Sequence, residues 1–208
     1  MFEAITFDLM LENIRENSIN SDTIGILLAR PKSDAGESII NNLPYYHHRS
    51  GYNINFYLPG YGAFWHEMYP DEIDVVKIEG NQWSFSNQKF VEFISCIEGK
   101  SQWKYSGESE LLLVEFRNYF FSFSNVLRFH LDAMLRDGVV PSINAFFEGL
   151  FREISRGRSL SQISGAAGVK TLGQVTVESV MEVLPSFFGG FIKKGKHYIV
   201  HDYSINSL

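Results

Sequence analysis

Residues 24 to 29, Ile-Gly-Ile-Leu-Leu-Ala, form an unbroken apolar run closed by a charged residue and a proline. A run this short, rich in Ile and Leu, reads as a strand buried on both faces. Arg30-Pro31-Lys32 ends it, and Ser33 then offers a hydroxyl as a helix N-cap. Asp34 and Glu37 fall in the first turn, where the helix dipole favours acids. The spacing predicts a helix that buries Ile39, Ile40 and Leu43 and closes at Gly51. Tyr52 to Leu58 then alternates, with Tyr52, Ile54, Phe56 and Leu58 on one face. Asn53, Asn55 and Tyr57 make a wetter opposite face. Strand, helix and strand in succession make a βαβ unit, whose two strands should be parallel with a right-handed crossover.

The rest of the chain extends this unit. Residues 3 to 17 carry Ile5, Leu9, Met10 and Ile14 at helical spacing. Pro-Gly-Tyr-Gly at 59 to 62 opens a loop that runs to Glu72. Ile73–Ile78 and Gln82–Phe85 read as a hairpin across Glu79-Gly80-Asn81. Ser86 caps a helix with Phe90, Phe93, Ile94 and Ile97 on its core face, ended by Gly99. Glu110–Phe116 is a further apolar strand, with Phe120–Phe123 as an edge strand. Ser124 is expected to start a helix through Val126, Leu127, Leu131, Met134 and Leu135. Pro141-Ser142 starts a second, with Ile143, Phe146, Phe147, Leu150, Phe151 and Ile154 on one face.

The fold class expected is therefore α/β, with a mixed sheet and an N-terminal parallel βαβ unit. The arrangement is thioredoxin-like or a small doubly wound three-layer one, plus a C-terminal helical hairpin at 124–156. Residues 1–157 form the α/β core domain. Residues 158–208 form a C-terminal extension expected to pack on it, with a helix at Val175–Leu184 and a last strand at His197–Tyr203.

Charge and cysteine usage exclude several functions. The formal net charge of −6 lacks the basic footprint that nucleic-acid binding needs. Lys193, Lys194 and Lys196 beside His197 are the one local basic cluster, and read as a solvated turn. A single cysteine, Cys96, excludes an intramolecular disulfide and Cys-x-x-Cys redox chemistry, and it is expected to be buried or half-buried and inert. No apolar run approaches the roughly 18 residues of a membrane span, and the first residues carry no secretory signal. A cytoplasmic protein is expected, with no membrane, nucleic-acid, metal or cofactor partner.

Two stretches invite chemistry. The first is Leu-Pro-Tyr-Tyr-His-His-Arg-Ser, where His47, His48 and Arg49 sit at a helix end and so can meet its free carbonyls. Adjacent histidines do not share a face for chelation, which makes this stretch structural. The second is the carboxyl edge of the parallel strands, where open α/β sheets bind ligands. There Arg30, Lys32 and Ser33 meet a helix N-terminus, a place receptive to an anion. Gly60, Tyr61 and Gly62 lie beside them, with His66, Glu67 and Asp71 farther along the loop.

Two functions follow. One is a non-catalytic interaction or accessory domain in a homo-oligomer or complex, in which the Phe-rich hairpin marks the interface. The other is an enzyme or sensor for a phosphorylated or nucleotide-like small molecule. In it Arg30, Lys32 and the amides after Ser33 hold the anion, Tyr61 stacks on a base or sugar, and His66 or Glu67 is the acid–base group.

Overall fold

The computed structural model describes residues 2–4, 6–17, 21–50, 54–63, 67–117, 120–152 and 198–205. The chain begins with strand β1 (Phe2–Ala4), helix α1 (Phe7–Asn17) and strand β2 (Ser21–Leu28). Helices α2 (Asp34–Asn41) and α3 (Leu43–Ser50) lead to strand β3 (Asn55–Pro59). Three strands follow, β4 (Tyr61–Ala63), β5 (Glu72–Ile78) and β6 (Asn81–Ser86), and then helix α4 (Asn87–Lys100). Strands β7 (Glu110–Arg117) and β8 (Phe120–His130) precede helix α5 (Leu131–Arg136), a helix α6 over 143–152 and strand β9 (Tyr198–His201).

Six strands make the main sheet, in the order β1-β3-β2-β7-β8-β9. β1 and β2 each pair with β3 in parallel, and the pairs from β2 to β9 are antiparallel. β2 lies inside this sheet, and Thr23 to Ala29 is buried throughout, which is why its sequence is apolar on both faces. Gly25 leaves room for a large neighbour, since an added Cβ would stand 2.4 Å from the Phe56 ring.

Strand side chains alternate between the sheet's faces, and β3 shows what lies on each. Phe56 packs against Phe147 and Phe151 of α6, with centroids 6.2 and 5.7 Å away. Tyr57 points the other way, where its hydroxyl donates to Asn13 Oδ1 of α1 at 2.6 Å. α4 joins α1 on that side through Phe7 and Phe93, 5.6 Å apart. α3 meets α6 through Tyr46 and Phe147 at 4.7 Å, and α2 packs on α5. The molecule is a mixed α/β protein with helices on both faces of its main sheet.

Several expectations are corrected. Residues 2–4 are a strand and not part of a helix, because three residues at a sheet edge are too few to show alternation. Asn42 divides the predicted second helix into α2 and α3. Tyr57 is fully buried rather than on a wetter face, since α1 covers it. Residues 124–130 continue β8 and are not helical, so the 124–156 helical hairpin does not form as expected. Val126 to Phe129 fit a helical spacing, but β7 pairs on one side and the sequence-distant β9 on the other. α5 is left with only six residues. Cys96 is exposed, not buried.

Other expectations agree with the structure. The β5–β6 hairpin turns through Glu79 and Gly80, both at positive φ (51° and 83°), as a primed two-residue turn requires. Ser33, Ser86 and Ser142 cap their helices as read from the sequence. The 193–197 basic cluster, Ile154 and the 175–184 helix lie outside the described residues.

Candidate functional site

The connections from β2 and β3 leave the sheet toward opposite faces. β2 runs into α2, on the α5 and α6 side, while β3 runs through β4, β5 and β6 into α4, on the α1 side. Adjacent parallel strands whose continuations diverge leave a crevice between their carboxyl ends. The strands β4, β6 and β5, in that order, form a small antiparallel sheet beside this crevice.

A cleft of about 350 Å³ opens at that place, within the size range of small-molecule sites. The β2 side contributes Arg30, Pro31 and Lys32. The β3 side contributes Asp71, Ile73, Phe85 and Asn87. The Arg30 guanidinium lies over the rings of Phe90 and Tyr105, with Cζ 5.1 and 5.8 Å from their centroids. Its Nε is buried without an acceptor. Burial pushes the Tyr105 hydroxyl up to about 12 against the lowering influence of Arg30. Among the described residues Arg30, Lys32 and Asp71 form no ion pair, with one another or with any other group.

The other predicted residues have different surroundings. Gly60 is a buried hinge between the two sheets at φ +77°, and an added Cβ would stand 2.7 Å from Phe90 Cβ. Its N–H donates to the Ala4 carbonyl at 3.1 Å and its carbonyl accepts from Ser86 N at 2.9 Å. Tyr61 has no exposed surface, and its hydroxyl donates to the Ala29 carbonyl at 2.8 Å, so burial raises it strongly. It ties the end of β2 to the small sheet and cannot stack on a ligand. Gly62 pairs with Ser84 in the small sheet. His66 lies outside the described residues. Glu67 is exposed on a second depression with Tyr69, Pro70, Glu72 and Asp74, away from Arg30.

The helix N-termini beside the cleft already hold acceptors from the chain itself. At α2, the Ser33 hydroxyl accepts from Gly36 N at 3.0 Å and lies 2.7 Å from the Ser109 hydroxyl. The Asp132 carboxylate accepts from Ala35 N at 2.8 Å and from Ser109 N at 2.6 Å. The anion that this helix end attracts is therefore Asp132, which no local motif reveals because it comes from nearly a hundred residues away. At α4, Asp71 accepts from the Ser86 hydroxyl at 2.6 Å and from Gln88 N at 2.7 Å. The Ser86 hydroxyl, and then the backbone N–H of Gln88, hold its carboxyl below the usual range even though it is exposed.

A second charged cluster lies nearby in the sheet. Arg128 of β8 donates Nε and Nη2 to the two oxygens of Glu110 on β7, at 2.8 and 2.6 Å. Ser106 N donates to the same carboxylate at 3.0 Å, and Arg128 also reaches the Lys104 carbonyl at 3.1 Å and the Tyr203 hydroxyl at 3.3 Å. Glu110 is fully buried. Sequence reading missed this pair because only strand register places it.

His47, His48 and Arg49 occupy the last turn of α3, where a positive charge such as that of Arg49 suits the helix dipole. Arg49 Nε stands 3.7 Å from Glu148, which also accepts from the Tyr45 hydroxyl at 2.7 Å. No group of His, Cys, Asp and Glu among the described residues is arranged to hold a metal ion. No helix among them is long and apolar enough to cross a membrane. Comparison with protein-family models, curated proteins and solved structures returns no match.

Proposed function

We propose that this chain is a binding domain that holds a small charged molecule in the cleft between the carboxyl ends of β2 and β3. The observation that carries this reading is the set of charges without ion pairs that line one cleft at a strand switch point, Arg30 and Lys32 from the turn after β2 and Asp71 from the connection before β5. Ser33, Ser109 and Asp132 hydrogen-bond within the chain and do not line the cleft. The strand order β1-β3-β2-β7-β8, two parallel pairs followed by antiparallel ones, supports reading the sheet as thioredoxin-like. That reading carries no redox chemistry, since Cys96 is the single cysteine. A thermal-shift screen of wild type and Arg30→Gln against nucleotides, sugar phosphates, phosphoanions and amino acids tests the proposal. A ligand-induced rise in Tm in wild type, lost in a folded Arg30→Gln, is the expected result.

A second reading is an accessory domain that meets a protein partner or another copy of itself. Exposed Met68 in the connection before β5 and Ile73 on β5, 64% and 44% accessible, favour it. Sedimentation of the purified protein over a concentration series would detect self-association.

A further inference from the structure

We infer that the cleft recognises a zwitterion of amino-acid size, its carboxylate bound by Arg30 and Lys32 and its ammonium by Asp71. The inference rests on the cleft reading above and narrows it to one ligand class. The α2 N-terminus, which would otherwise favour a phosphate, already has the Asp132 carboxylate on Ala35 N, and that negative charge disfavours a second anion there. What remains are cations on the β2 side and one carboxylate on the β3 side, with no ion pair between them. Charges of opposite sign that share a cleft without meeting suit a ligand that carries both signs.

Arg30 is held in place for this role by Phe90 and Tyr105, and its buried Nε has a proton without an acceptor. Asp71 is fixed by Ser86 and Gln88 N, while each carboxylate oxygen retains a further acceptor site. Lys89 lies within electrostatic reach of Asp71, but Glu92 holds its ammonium at 2.7 Å. Exposed Ile73 and buried Phe85 line the same cleft and offer apolar surface to a ligand's side chain. A cleft of about 350 Å³ suits a molecule of that size.

The test is a thermal-shift screen of the full chain with the common L-amino acids, followed by calorimetry on a matched set. L-Leucine is compared with 4-methylpentanoate, which lacks the amine, and with 3-methylbutylamine, which lacks the carboxylate. The expected result is that an apolar L-amino acid binds and that removing either charge weakens binding about ten- to a hundredfold. Arg30→Gln and Lys32→Gln weaken the amino acid, and Asp71→Asn removes the preference for the amine while keeping an acceptor on α4. Equal binding of leucine and 4-methylpentanoate to wild type would overturn the inference without any mutant. Binding of inorganic phosphate but of no amino acid, dependent on Arg30, would overturn the zwitterion and leave the cleft reading standing. No binding of any probe would overturn both.

Discussion

Two arginines of this protein have opposite surroundings. Arg128 meets Glu110 through two hydrogen bonds, and a backbone carbonyl and the Tyr203 hydroxyl complete its shell. Arg30 rests on the faces of Phe90 and Tyr105 with no carboxylate, although Asp71 lines the same cleft. The first arrangement neutralises its charges inside the sheet. The second keeps them apart at a surface opening, which leaves them available to something outside the chain. The difference teaches where to look for function: satisfied charges hold strands together, while separated ones mark the cleft where we propose that a ligand binds.

The largest effect expected from breaking this contrast is at the closed pair. Arg128→Ala leaves the buried Glu110 carboxylate with only Ser106 N and the His130 ring, 4.0 Å away, beside it, and should cost about 3 kcal/mol in urea unfolding. Arg30→Gln removes a ring contact and no ion pair, and should cost less than about 1 kcal/mol in the same measurement. Gly36→Ala comes next. Its Cβ would fall 1.9 Å from the Arg30 carbonyl, so the turn that carries Arg30 must shift, at about 2–3 kcal/mol. Binding in the cleft should weaken with it.

Asp132→Asn removes the carboxylate from the α2 N-terminus while keeping the shape, and should cost about 1–2 kcal/mol by urea unfolding. Asp71→Asn sharpens the comparison through pH. The folded-state carboxyl lies below its ordinary 3.8, so its stabilisation is present above that value and is lost as pH falls through the lowered one. The acid limb of a Tm-against-pH curve should therefore be flatter in Asp71→Asn than in wild type. Lys32→Gln, on a solvated side chain, should leave stability within about 0.5 kcal/mol and act on binding alone.

Much of this architecture was legible in local sequence. The apolar run at 24–29, the serine caps and the core face of α4 each follow from neighbours within one or two turns. The positions of Arg30 and Lys32 directly after the apolar strand were also legible, and both line the cleft. What sequence could not supply comes from distant partners. β9 pairs with Val126–Phe129 from some seventy residues away, and that pairing makes a strand of a segment with helical spacing. Asp132 reaches α2 across a comparable gap and fills the place where an external anion was expected. Tyr61 looked available for stacking because nothing local shows that β2 and the small sheet close over it. In each case the competing term was tertiary burial or a long-range hydrogen bond, which outweighs local spacing.

The most direct test of the central claim is to measure stability and ligand binding together in Arg30→Gln and Arg128→Gln. Unfolding in urea gives the first quantity, and calorimetry with the best amino acid from the screen gives the second. The account predicts that Arg128→Gln loses several kcal/mol of stability, whereas Arg30→Gln keeps its stability and loses the ligand. An Arg30→Gln variant that binds as wild type does, or an Arg128→Gln variant of unchanged stability, would contradict it.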